Sequence, residues 1–329
     1  MRNIILTMLA TLVVAGCGGS DSNNTIVSDA VSGIEDSVPI SVDISKPPTE
    51  VPPSDDDLQA CVAIESVKLT DLAGNIVEWT TRSMTNPEEM NSQQCIPPDS
   101  SIPVDSDGYP QFIVIDLYDI TGVDLVHLIS EQLVPVGEYV NMSLTILQGE
   151  YGDFLGTPYS YVGSLVDKQK MEIVDELTFD GLNINIDVPE TFTMAFDFRS
   201  MIQMVEGAYH LKSEGLRLVK NALSGGIFGD INTGSCPSND DAYVYLYESD
   251  SEQYGDLGSE YTPVMTAKVS EDNQYTMSYV PEGDYDVVLV CDGLKDAPDQ
   301  IDLDIDLDGD AAKYTDQHVE SGEQKYLPL

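Results

Sequence analysis

Apolar side chains in this chain recur at every second residue, in short runs separated by turn formers. A period of two confines such runs to strands, because only there do residues i and i+2 share a face. "ACVAIESVKL" and "GNIVEW" flank a Gly-Asn turn and read as a hairpin. "QFIVIDLYDI" is a strongly apolar strand, and "GEYVNMSLTIL" alternates. In "GLNINIDV", Leu182, Ile184, Ile186 and Val188 fall on one face. "FTMAFDFRSMI" sets Phe192, Met194, Phe196 and Phe198 on one side, with Asp197 and Arg199 on the other. Only "TGVDLVHLISEQ" has a helical spacing. After "NALSGG" a second series follows: "GGIFGDI", "AYVYLYES", "YTPVMTAKV", "QYTMSYVPEGDYDVVLVC" and "EQKYLPL". The expected class is all-β, with two consecutive β-sandwich domains over 58–222 and 223–329.

The first residues have a different character. One positive charge in Met1-Arg2-Asn3 precedes an apolar run from Ile4 to Ala15. That run is too short for a hydrocarbon core of about 30 Å, which takes roughly 20 helical residues. A charged start, a short apolar stretch and small residues before a cut describe a secretory signal peptide over 1–16. Val14-Ala15-Gly16-Cys17 resembles the lipobox of bacterial lipoproteins, with Val where Leu is commoner. The resemblance implies that Cys17 is lipidated and heads the mature chain, with the membrane as partner through its acyl chains. Gly18 follows Cys17, where Asp is the usual inner-membrane retention signal in that family, so an outer-membrane destination is expected. Residues 17–57 are polar and Pro-rich, including "SKPPTEVPPSDDD", and are expected to form a disordered tether. "TIVSDAVSGIEDS" is the part of it that also fits a first strand.

Export places the other four cysteines, Cys61, Cys95, Cys236 and Cys291, in an oxidising compartment. Three pairings are open to them. Division into two domains favours Cys61–Cys95 and Cys236–Cys291, each closing a loop that constrains the unfolded chain by about 4 kcal/mol. A metal site is the rival, but there is no C-x-x-C pair.

Fourteen basic residues stand against 58 acidic ones, for a net charge of −44. Such a surface repels nucleic acid and anionic headgroups and concentrates cations. No G-x-S-x-G, H-E-x-x-H, P-loop or dinucleotide fingerprint occurs. His127, His210 and His318 sit in separate segments, and Trp79 falls on an apolar strand face. No catalytic residue is assigned. A carboxylate pair would be hidden among so many acids, so a hydrolase stays as a remote alternative.

The order of "IDLYDITG", "LVPVGEYVNMSLTIL", "FTMAFDFRSMI" and "GAYHLKSEGLRLV" resembles the bacterial "domain of unknown function 4382" family, over roughly residues 60–219. That family is found in exported lipoproteins and carries no established activity. "YTMSYVPEGDYDVVLV" looks like the strand–turn–strand of carboxypeptidase regulatory-like, prealbumin-like sandwich domains. Pro281 and Gly283 make its turn, with Tyr279, Tyr285 and Val287 as packing residues.

Two segments stand out as ligand sites. Tyr243, Tyr245 and Tyr247 alternate with Val244 and Leu246, so three phenol rings share one strand face. Exposed, they would form a platform for a glycan or an envelope protein; covered, they are core. In "IDLDIDLDGD", Asp304, Asp306 and Asp308 before Gly309 mimic the opening of a calcium loop. Thr315 stands where that loop needs a bidentate Glu, so calcium binding should be weak, and an acidic strand is the plainer alternative. No other cofactor is implied. Together these features imply a non-catalytic binding or scaffolding lipoprotein of the cell envelope, with a carbohydrate-binding protein as the main alternative.

Overall fold

The computed structural model describes residues 25–27, 36–45, 59–98, 100–118, 125–149, 158–163, 168–173, 176–179, 184–232, 234–237, 241–249, 253–305 and 313–329. Cys17 and residues 1–16, expected to be a signal peptide, lie outside them, as do Asp306 and Asp308. Almost every described element is a strand, and the fold is all-β with several packed sheets.

An eleven-stranded sheet is built around the long strand Gln59–Asp71, which pairs with Ile76–Thr80, Ile113–Asp116 and Gly137–Ile146 among others. The predicted hairpin is present: Gly74 takes φ +83°, and the Asp71 carboxylate accepts hydrogen bonds from the amides of Ala73 and Asn75. Facing this sheet is a second one, ordered Leu216–Lys220, Glu190–Phe196, Ser37–Ser45, Val126–Pro135. Their inner faces share one core that includes Trp79, fully buried.

Part of the expected tether is therefore structural. Ser37–Ser45 is a central strand, parallel to Glu190–Phe196 and antiparallel to Val126–Pro135. Ile40, Val42 and Ile44 are buried, each contributing roughly 1.5–3 kcal/mol of transfer free energy. The alternation Val38, Ile40, Val42, Ile44 was visible, but Pro39 and the flanking proline-rich run masked it. Thr25–Val27 also forms a strand, parallel to Ile76–Thr80.

The segment with helical spacing is a strand as well, Val126–Pro135. Its buried residues, Leu128, Ile129 and Val134, do not alternate because the pairing with Ser37–Ser45 is bulged. Glu131 takes a left-handed φ of +49° there. A bulge shifts the inward phase by one residue, and two phases in sequence imitate a helical stripe. Two smaller corrections apply. The strand in "GLNINIDV" ends at Ile186, leaving Val188 exposed. Phe198 and Arg199 leave the strand for a single helical turn, Phe198–Met201.

Strands after Ser224 pair only with one another among the described residues. A three-stranded sheet (Gln274–Pro281, Ser224–Asp230, Gln324–Tyr326) packs on a four-stranded one (Met265–Lys268, Tyr243–Glu248, Gly283–Val290, Lys313–Val319). Val244, Leu246, Met277 and Val287 lie in the core between them. The Pro281–Gly283 turn passes the chain from one sheet to the other, and Tyr285 packs over it, its hydroxyl donating to the Pro281 carbonyl at 3.0 Å. Tyr279 is the extra residue of a bulge, at φ +55°.

Both expected disulfides are present. Cys61–Cys95 and Cys236–Cys291 have Cα separations of 5.7 and 5.2 Å, within the bridging range. The first sits in a buried cluster with Val114 and Tyr161.

The C-terminus docks on glycines. Leu327 and Leu329 donate backbone hydrogen bonds to Phe228 and Asp230, and a Cβ on Gly229 would lie 2.1 Å from the Leu327 carbonyl oxygen. Gly229→Ala is expected to lower stability by about 1–3 kcal/mol through overpacking, read as a fall in the urea midpoint of the full chain. A midpoint equal to wild type would show that the C-terminal strand is not held at this distance.

Candidate functional site: the covered tyrosine face and its acidic loops

The tyrosine row is not a platform. Tyr243, Tyr245 and Tyr247 are as deeply buried as Val244 and Leu246 on the opposite face of their strand. Both faces of the strand are covered, and three structures cover the tyrosine side. Tyr254 stacks edge-on against Tyr247, with centroids 4.9 Å apart. Leu303 and Ile305 pack over the same cluster. Arg199 reaches across from the first set of sheets.

Local geometry explains how Arg199 arrives there. Strand Glu190–Phe196 ends at Asp197, whose carboxylate caps the turn by accepting from the Arg199 amide at 3.2 Å. The turn takes Arg199 out of the strand alternation while Phe198 stays buried against Phe196 and Tyr118. Gly215 closes in behind at φ +83°, where a Cβ would come within 2.7 Å of the Asp197 carbonyl oxygen. The guanidinium lies 4.1 Å from the Tyr243 ring centroid. It donates to the Tyr245 hydroxyl at 3.3 Å, to the Asp296 carbonyl at 2.9 Å and to the Gly293 carbonyl. Burial works against its charge, but Tyr245, Tyr243 and Asp197 outweigh that and hold its pKa above the ordinary value. Beside it, Thr266 donates to the Asp197 carboxylate at 3.0 Å, both residues being buried.

The hydroxyls of Tyr245, Tyr247 and Tyr254 are occupied in this packing. Tyr245 donates to the Asp296 carboxylate at 2.5 Å, and Tyr247 donates to the Gly255 carbonyl at 2.8 Å. Burial pushes both phenol pKa values far up. Tyr254 is pushed up to about 12, by burial and then by its bond to Asp286.

The acidic run does not form the expected strand over its described part. Residues 301–305 have no ladder partner; Leu303 and Ile305 turn inward onto the tyrosines while Asp302 and Asp304 are exposed. The alternation was real, but it serves a cover segment instead of a sheet. Asp304 joins no cluster of metal-ligating groups among the described residues.

A different acidic group converges. Asp256, Asp296 and Asp302 each bring an oxygen within 4.8 Å of the other two. Asp256 is fully buried and accepts from the amides of Asp302 and Leu303 at 2.6 and 2.8 Å. Asp296, also buried, accepts from the Leu257 amide at 3.1 Å. Asp302 accepts from the Ala297 amide at 3.2 Å. Asp256 and Asp296 thus tie two loops, 253–263 and 292–305, to each other, and Asp302 braces the second loop internally. Sequence reasoning missed them because they lie up to 46 residues apart and carry no spacing signature. The other convergent set, Cys61, Cys95 and Asp116, offers no thiolate because its sulfurs are bridged.

A cleft of about 920 Å³ opens beside the clamp, with Ser200, Gln203 and Lys212 on one wall and Gly258, Thr262 and Pro298 on the other. The histidines stay apart, each facing one carboxylate: His127 with Asp43, His318 with Asp284, His210 with Glu172.

No family model matches the chain, and no curated protein matches it. Among solved structures, the chain aligns with the Bacillus anthracis TIE protein at 11% identity, covering 89% of this chain and 34% of that one, with a TM-score of 0.19. It aligns with the Streptococcal ancillary pilin at 10% identity, over 89% and 62% of the two chains, with a TM-score of 0.18. For the fimbrial anchor protein of Porphyromonas gingivalis the figures are 11%, 77% and 78%, with a TM-score of 0.16. This chain therefore spans about a third of the first of these proteins, and superpositions this loose transfer neither fold nor role.

Replacing Arg199 by Met keeps the stem but strips the donors from two carbonyls and the Tyr245 hydroxyl. Orphaning such groups costs about 1–3 kcal/mol, so Arg199→Met is expected to lower the urea midpoint of the full chain accordingly. A midpoint within error of wild type would mean that the guanidinium contributes no net stability at this junction.

Proposed function

We propose that this chain is a non-catalytic binding or scaffolding module of the bacterial cell envelope, lipidated at Cys17 and carried at the outer membrane. Its strands divide near residue 222 into two sandwich domains. The observation that carries this reading is the Arg199 clamp. A half-buried cation between Tyr243, Tyr245 and the carbonyls of Gly293 and Asp296 bridges the two sets of sheets. A fixed body with a fixed cleft is what a scaffold presents to a partner. An envelope protein or glycan is the partner class that fits an exported chain, and the cleft beside Arg199 is the concave surface it would meet.

Two further features support export. The disulfides Cys61–Cys95 and Cys236–Cys291 belong to oxidising compartments. The motif order resembling the "domain of unknown function 4382" family belongs to exported lipoproteins. The decisive experiment is metabolic labelling with palmitate in a bacterial host. Label is expected in the wild-type chain and absent from Cys17→Ser, with wild type in the outer-membrane fraction. Equal incorporation into both, or none into either, would overturn the lipid anchor.

A further inference from the structure

We propose that Asp256, Asp296 and Asp302 form a calcium site that pins the two loops covering the tyrosine face. The site is separate from the Asp304, Asp306, Asp308 run that the sequence suggested.

Convergence of three carboxylates is not sufficient, since acids are abundant on this chain. Asp256 supplies the second observation. It is fully buried, and among the described residues its Oδ1 has no hydrogen-bond partner. A buried carboxylate oxygen left without a donor loses its hydration for no return, a cost of the order of 1–3 kcal/mol or more for a charged group. Its Oδ2 is fully engaged with two backbone amides, so the side chain cannot rotate away to find water without breaking both. None of the described residues supplies the partner that Oδ1 needs, and a bound cation would.

Charge leads to the same conclusion. Arg199 spends its donors on carbonyls and the Tyr245 hydroxyl rather than on any of the three carboxylates. No salt bridge to Asp256, Asp296 or Asp302 occurs among the described residues. Three acids, two of them buried, thus face one another with a single arginine nearby. A divalent cation would neutralise two of the charges and complete the coordination of Asp256.

The donor chemistry selects the cation class. All three ligands are carboxylates, with no histidine or thiolate, which favours a hard cation over zinc or copper. Calcium takes six to eight oxygens in flexible geometry and tolerates a mixture of protein oxygens and water. Asp302 lies on the exposed side, so water can fill the remaining positions there. With three protein carboxylates and an open side, the dissociation constant should fall in the extracellular range, on the order of 10⁻⁴ to 10⁻³ M. The consequence is structural: calcium fastens 253–263 to 292–305, and through them Leu303 and Ile305 onto Tyr243, Tyr245 and Tyr247.

The test uses the full chain in detergent, stripped with EDTA and returned to constant ionic strength in potassium chloride. Calcium chloride is titrated while the thermal midpoint is followed, and terbium is titrated in parallel with excitation of the tyrosines. Wild type is expected to show a saturable rise in midpoint and saturable sensitised terbium emission that calcium displaces. Asp302→Asn, which retains an acceptor for the Ala297 amide and sits at the surface, is expected to weaken both at least tenfold. Asp304→Asn, next to the site but outside it, should stay within twofold of wild type. Asp256→Asn serves as a second site variant where it folds, and Asp302→Asn decides the matter where it does not. The proposal fails if Asp302→Asn and Asp304→Asn respond alike, or if calcium does no more than potassium at equal ionic strength. Lipidation at Cys17 plays no part in this readout, so failure here leaves the envelope assignment standing, and the reverse.

Discussion

A half-buried guanidinium bridges the two sets of sheets in this structure. Arg199 brings a charge into an environment that resists it, and such a charge persists only where several partners converge. Here they are the face of Tyr243, the hydroxyl of Tyr245 and the carbonyls of Gly293 and Asp296. None of these is a carboxylate, so the contact works through hydrogen bonds and the ring quadrupole rather than a direct ion pair. It demands that the loop 292–298, the tyrosine strand and the turn after Glu190–Phe196 all keep their places together.

That demand explains the unusual economy of the tyrosine strand. One face belongs to the sandwich core, as Val244 and Leu246 require. The other is sealed by Arg199, Tyr254 and the inward Leu303 and Ile305. Burying phenols is favourable where their hydroxyls find partners, and those of Tyr245 and Tyr247 come from the loops that do the sealing. The loops are in turn tied by Asp256 and Asp296, each accepting from the backbone of the opposite loop, while Asp302 braces its own. Packing, hydroxyl satisfaction and loop crossing are therefore one problem solved together, and its remaining unsatisfied element is Asp256 Oδ1.

Much of this architecture follows from local pattern. Period-two alternation identified the hairpin at Gln59–Thr80, the buried strand Ile113–Asp116 and nearly all strands after Ser224. Cysteine positions, taken with a two-part division, led to Cys61–Cys95 and Cys236–Cys291. The failures have specific causes. Ser37–Ser45 carried its alternation inside a proline-rich neighbourhood, and Val126–Pro135 carried a bulge that broke its phase. Both lie side by side in the same sheet, where long-range pairing outweighed composition and spacing.

What the residues alone determined is the class: short alternating segments and turn formers can bury their apolar faces only as packed sheets, and paired cysteines in each half can staple them. What tertiary structure decided is which faces meet solvent. Alternation states that Tyr243, Tyr245 and Tyr247 share a face, but not whether another segment covers it. The cover comes from Arg199, 44 residues upstream of Tyr243, and from residues 254 and 303–305 downstream. The same holds for Asp256, Asp296 and Asp302, whose convergence depends on two loops crossing. Exposure and convergence are properties of long-range contacts, and no local period in a sequence encodes them.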